Sequence, residues 1–181
     1  MSLSPATPGI PSDRAGRHHA WTVVSCGLAV ILLESSPLGG GNNTGRLLHA
    51  VWPNTLAANW NPSTFGMVHH LLRKLGHFTG YGTLALLLRE AWHRSLRALR
   101  GIAGVRLLVA ASALSVAVTC LTGCVDEWHQ TTVPGRTGCW SDVLIDTSGA
   151  LLFNLVFCVL RARRSQQTRP RWFTPPQPSA G

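Results

Sequence analysis

The sequence is short of charge. Only 13% of its 181 residues are Asp, Glu, Lys or Arg, about half the share usual in soluble domains. The formal net charge of +9 would suit a nucleic-acid partner, but that requires a basic face on a soluble fold. Aromatic interleaving of the kind that stacks on bases is absent, with one Tyr and five Phe, and the arginines cluster beside apolar runs instead. No nucleic acid is expected as a partner. A CxxC pair is also missing from the five cysteines. Cys26, Cys120 and Cys158 lie inside apolar runs, where cysteine behaves as a small hydrophobe. Cys124 and Cys139 flank a polar loop and could pair in an oxidising compartment, although the odd count favours free thiols. Zinc-motif spacing and internal repeats are lacking too.

What the chain has is apolar length. Apolar residues make up 45% of it; Leu107 to Val125 is nineteen residues without a charge, and Thr147 to Leu160 is fourteen more. A third apolar segment, Ala20 to Leu33, could be a signal peptide, but Glu34-Ser35-Ser36-Pro37 is a poor cleavage site and a retained helix is preferred. Ser63 offers an N-cap for a proline-free helix to about His93, charge-free from Phe78 to Leu88. The fold class that follows is all-α: an integral membrane bundle of four transmembrane helices, at about 20–34, 64–92, 105–130 and 142–161, within a domain of residues 20–161. The uncharged cores of the first, second and fourth helices are shorter than the roughly twenty residues a bilayer needs, so polar residues are expected at their ends.

Residues 1–19, with three prolines and two glycines, read as a flexible tail, and the basic, proline-rich residues 162–181 as a disordered one. Residues 37–61 read as a loop. Gly39 to Asn43 is strong turn chemistry, Pro53 and Pro62 break helices, and Arg46–Trp52 and Leu56–Trp60 suit a lipid–water interface.

Charge counting orients the bundle. Arg14 and Arg17 precede the first helix, Arg89, Arg94, Arg97, Arg100 and Arg106 join the second to the third, and Arg161, Arg163, Arg164, Arg169 and Arg171 follow the fourth. These are twelve of the sixteen Lys and Arg residues; the other two connections hold Arg46, Arg73, Lys74 and Arg136. The positive-inside rule then puts both termini in the cytoplasm of a multi-pass cell-membrane protein. Glu34, the Lys74/His77 end of the second helix and the loop from Asp126 to Asp142 gather on the opposite face.

Dense ionisable chemistry between bilayer-length apolar runs is costly to place. His70, Lys74, His77 and Tyr81 recur at spacings of four, three and four, on one helix face. Asp126 stands at i, i+3 to His129 and i, i+4 to Gln130, and Asp142 at i, i+4 to Asp146. Three readings compete. In a catalytic one, Asp126 or Glu127 is the general base and His129 or His77 carries the proton. Lys74 and Arg136 then hold an anionic group, and Tyr81, Gln130 and Asp142 complete the binding set. A metal reading needs His77, His129 and one carboxylate, but without local zinc spacing neither a metal nor another cofactor is expected. In a structural reading, ion pairs tie helix ends together and Pro134-Gly135 only turns the chain. His49 and His69 read as interfacial, Glu34 as ambiguous, and Trp128 and Trp140 as interfacial anchors.

Lys74-x-x-His77-Phe78-x-x-Tyr81 after a first helix ending in Ser35-Ser36, then Asp126-Glu127-x-His129-Gln130-x-x-x-Pro134-Gly135-Arg136, Asp142 and Gly149, resembles the VanZ-like family, named for a teicoplanin-resistance protein. The resemblance covers about Trp21 to Leu160. It implies a multi-spanning bacterial membrane protein, set among membrane lipids, whose polar motifs group together. The expected function is an outward-facing pocket that acts on or binds a lipid-linked or cell-wall molecule or a lipoglycopeptide. The alternative is a non-catalytic membrane-organising or binding protein with a structural polar cluster. The sequence departs from the family pattern at Asp146, usually asparagine, and in having Leu152-Phe153 where a glycine follows Gly149.

Overall fold

A computed structural model describes residues 14–51, 61–99, 102–134 and 136–167. The Pro53 break, the Leu56–Trp60 segment, Arg100, Gly135 and the outer parts of both tails lie outside them. The described residues form five α-helices and no strand: α1 (Arg14–Ser35), α2 (Gly41–Val51), α3 (Pro62–Arg97), α4 (Gly104–Gln130) and α5 (Trp140–Gln167), with a short 3-10 turn at Pro37–Gly39.

The helix ends follow local chemistry. α1 begins at Arg14 rather than at Ala20, because the prolines of the N-terminal segment all stand at or before Pro11 and nothing after them breaks a helix. α5 runs on to Gln167 through its arginines, which are good helix formers. The cap of α3 lies two residues before the expected one. Asn61, not Ser63, is the N-cap, its Oδ1 accepting from the Thr64 N–H at 2.8 Å, with Pro62 in the first turn where a missing N–H costs nothing. Ser63 donates its hydroxyl to the same Asn61 oxygen at 2.7 Å.

α2 replaces part of the expected loop. Its glycine- and asparagine-rich sequence favours turns, but the Gly40 carbonyl accepts from the N–H groups of Asn43 and Thr44, each at 3.0 Å. Thr44 Oγ1 then meets His69 Nε2 of α3 at 2.9 Å. A tertiary contact thus holds a helix that propensity alone disfavours.

α3 is the central element, packed against α1, α4 and α5, while α4 and α5 pack on each other. Its 36 residues span about 54 Å at 1.5 Å per residue. Against α1 it buries Leu84, Leu88 and Ala91 with Val24 and Ile31. Trp21 meets Trp92 edge-on at 5.2 Å and donates its indole N–H to Ser95 Oγ at 3.1 Å. Against α5 the contact depends on glycine. A Cβ on Gly149 would overlap the Phe78 carbonyl oxygen, and one on Gly82 would sit 2.7 Å from the Phe153 ring. The glycine missing after Gly149 is therefore compensated from the other side, since Phe153 of α5 fills the space over Gly82 of α3.

Polar side chains are buried while large apolar ones face outward. Leu32, Leu121 and Leu144 are 64%, 64% and 71% exposed, whereas Asp146 is 0% exposed. Ser115 and Asn154, both buried, share hydrogen bonds between α4 and α5. A soluble protein does the reverse; an apolar exterior over a polar seam suits hydrocarbon surroundings. Among the described residues two helices, α4 and α5, are long and apolar enough to cross a membrane. α1 and α3 do not meet the same composition test.

Candidate functional site

The last turns of α4 carry the first group of site residues. Ser115, Thr119, Gly123, Asp126, Glu127 and Gln130 are buried along one stripe, and that stripe fixes how the helix is rotated. Asp126, Glu127 and Gln130 face the bundle, and the Gln130 amide donates to Asp126 Oδ2 at 2.9 Å and to Glu127 Oε1 at 3.2 Å. His129 falls off the stripe and is exposed, so it does not join the residues with which its spacing to Asp126 had grouped it.

The chain turns back after Gln130. A Cβ on Gly138 would overlap the Glu127 carbonyl oxygen, so only glycine allows the loop to lie this close to α4. The closure delivers the Cys139 N–H to Glu127 Oε2 at 2.7 Å, placing a carboxylate at the N-terminus of α5, where the helix dipole favours negative charge. Arg136 reaches from the same loop to the backbone carbonyls of Glu34 and Ser36 at the end of α1. Its Nε and Nη1 are buried without hydrogen-bond partners among the described residues.

α3 and α5 supply the rest. Lys74, the only lysine in the chain, binds Asp142 Oδ1 at 2.5 Å, and His77 Nδ1 lies 3.3 Å from Asp146 Oδ1. The His77 ring stacks on Tyr81, centroids 6.1 Å apart. His70, one turn above Lys74, is exposed and outside the group. The structure thus brings together Lys74, His77, Tyr81, Asp126, Glu127, Gln130 and Asp142, all foreseen as candidates, and adds Asp146. Four of the seven acids in the chain are here. An unpaired charge at membrane depth costs about 2.5–3.5 kcal/mol on insertion scales, which is why two of the four meet basic partners. The two-histidine metal set does not assemble, because His129 is turned away. A different donor set does: one nitrogen of His77 and one oxygen each from Asp126 and Glu127 lie within 4.8 Å of one another.

Next to this cluster is a cavity of about 270 Å³ whose lining includes Glu34, Thr44, His69, Arg73 and His77. Arg73 Nη1 donates to the Gly39 carbonyl at 3.0 Å. A second groove, of about 380 Å³, runs between α1 and α3 past Gly27, Ile31, Gly80 and Leu84, and shares Glu34 and Gly76 with the first. Neither Arg73 nor His69 follows from motif reading. Their only sequence signal is that each stands four residues before a cavity residue, His77 or Arg73, on the same helix. Asp146 carried a clearer signal, at i, i+4 to Asp142.

All five cysteines are free thiols, so Cys124 and Cys139 are not paired. Cys139 is exposed in the connection before α5, its Sγ 3.0 Å from Ser141 Oγ, and hydrogen bonds from the Ser141 side chain and backbone hold its thiol below the usual range.

An all-helical exterior of leucine and valine around buried acids, with two bilayer-length helices, defines a membrane-associated helical protein. The chain belongs to the VanZ/LLP1 family, whose family model matches residues 21–161. No curated protein and no solved structure matches it.

Proposed function

We propose that this is a four-span membrane protein, both termini cytoplasmic, that binds a lipid-linked envelope molecule through its anionic headgroup on the outer side. The observation that carries the reading is the union of the two cavities. A recess with Arg73 and His69 in its walls shares Glu34 and Gly76 with a groove between α1 and α3. Such a shape suits an amphiphile with its headgroup at the recess and its chain along the groove. His77 is common to the recess wall and the carboxylate cluster, so a bound headgroup meets a proton carrier with Glu127 and Asp126 behind it.

The topology is tested by labelling. Cys139 is exposed in a loop, with its thiolate favoured by the Ser141 hydrogen bonds, and the thiolate is the reactive form. A membrane-impermeant maleimide applied to intact cells is expected to modify the protein, and Cys139→Ser to abolish the modification. Labelling that appears only after permeabilisation reverses the orientation.

The ligand class is tested by retention. Purified protein in detergent is offered a long-chain isoprenoid phosphate or the isoprenol of the same length, and bound lipid is read by native mass spectrometry. The phosphate is expected to be retained at least tenfold better, a preference worth about 1.4 kcal/mol. Arg73→Ala is expected to remove the preference. Gly80→Leu is expected to lower retention of both, since Gly80 lines the groove and a Cβ there meets nothing within 4 Å. Equal retention of both lipids by the wild-type chain would sink the anionic-headgroup reading.

A second reading has its own support. Lys74–Asp142 and His77–Asp146 both cross from α3 to α5, as a purely structural lock would. Under it Arg73→Ala leaves retention unchanged. In cells, teicoplanin sensitivity is the natural readout for a member of a family named for that phenotype.

A further inference from the structure

Among the described residues, the carboxylates at the end of α4 lack the basic nitrogen partners that the two on α5 possess. Lys74 answers Asp142 and His77 answers Asp146. Among the described residues Asp126 and Glu127 receive only neutral donors, the Gln130 amide and the Cys139 N–H, with the Tyr81 hydroxyl beside Asp126. Asp126 is 5% exposed, and its Oδ1 has no donor among the described residues. Arg136 directs Nη2 to backbone carbonyls instead. Two consecutive buried carboxylates with an orphaned oxygen and an imidazole beside them have the composition of a cation site.

We infer that His77, Asp126 and Glu127 bind one first-row divalent cation, of the Mn²⁺ or Zn²⁺ type. The three donor atoms already lie within 4.8 Å of one another, within reach of a single ion after small torsional adjustments. One imidazole nitrogen with two carboxylate oxygens is a donor set suited to such ions. His77 is also held in the way that ligating histidines are held. Its Nδ1 faces Asp146 Oδ1 at 3.3 Å, so Nδ1–H donates to the carboxylate and Nε2 carries the lone pair; a carboxylate behind the ring orients the ligand and raises its basicity. Asp146 is in this sense a positioning residue. The ion neutralises Asp126 and Glu127, and a headgroup anion arriving at His77 then meets a cation rather than a cluster of acids. That last consequence rests on the proposed headgroup site; binding of the ion does not.

The test uses the full chain in detergent, stripped with a chelator and dialysed against Mn²⁺ with no lipid added. Mn²⁺ is chosen because thiols compete poorly for it, which keeps the five cysteines out of the measurement. The expected result is one saturable Mn²⁺ per chain, with pulsed EPR showing coupling to one histidine nitrogen. The isosteric double variant Asp126→Asn/Glu127→Gln is expected to weaken binding at least a hundredfold, and Asp146→Asn about tenfold. No saturable Mn²⁺ in the wild-type chain, or a bound ion with no histidine coupling, overturns the proposal. So does unchanged affinity in a double variant that melts like the wild type. The EPR result stands on the wild-type protein alone, should the double variant fail to fold. Because lipid is absent, failure here leaves the isoprenoid-phosphate result untouched, and failure of that result leaves this one untouched.

Discussion

Gly149→Ala is expected to destabilise the protein by about 3 kcal/mol, the upper part of the range for forcing atoms into a packed interior. The added Cβ has nowhere to go, because it would overlap the Phe78 carbonyl oxygen and lie 3.1 Å from the carbonyl carbon. Backbone cannot rotate out of the way as a side chain can, so α3 and α5 must separate at this point. Gly82→Ala is the control. Its clash is with the Phe153 ring, a side chain that can shift, and about 1 kcal/mol is expected there. Thermal unfolding in detergent reads both; a Gly149→Ala protein that melts within a degree of the wild type would show that the two helices do not meet as described.

Asp146→Ala is the second large effect, expected at about 1–3 kcal/mol, the cost of leaving the His77 ring nitrogen without its buried partner. Asp146 is fully buried, and His77 depends on it for orientation. Asp146→Asn keeps the shape and one hydrogen bond and is expected to cost less. Replacing both partners, as His77→Leu/Asp146→Leu, is expected to cost less than Asp146→Ala alone, since no charged or polar group is then left unanswered. SDS titration of the wild type, His77→Leu, Asp146→Leu and the double variant completes a double-mutant cycle. A double variant as unstable as the sum of its parts would show that the two side chains do not interact.

Four of the five helices and the polar grouping were legible because they rest on periodicity. The Asp126–Gln130 spacing is one such repeat and the Lys74, His77 and Tyr81 face is another; the extension of the first back through Gly123, Thr119 and Ser115 shows only in the structure. The partners were less legible. Spacing allows Asp126 to share a face with either His129 or Gln130, and only the rotation imposed by the buried stripe chooses Gln130. Propensity misled at Gly41–Val51, where a bond from Thr44 to His69, 25 residues away, stabilises a helix that glycine and asparagine oppose. Arg73 was hidden for the same kind of reason. Its role comes from a cavity made by three elements, and no local pattern encodes that.

The short link from Glu127 to the Cys139 N–H has a mechanical corollary. The same nine-residue return from Thr131 to Cys139 carries Arg136, whose grip on the Glu34 and Ser36 carbonyls ties down the tip of α1. One short segment thus links a buried carboxylate of α4 to the tip of α1, where Glu34 stands in the wall of the recess.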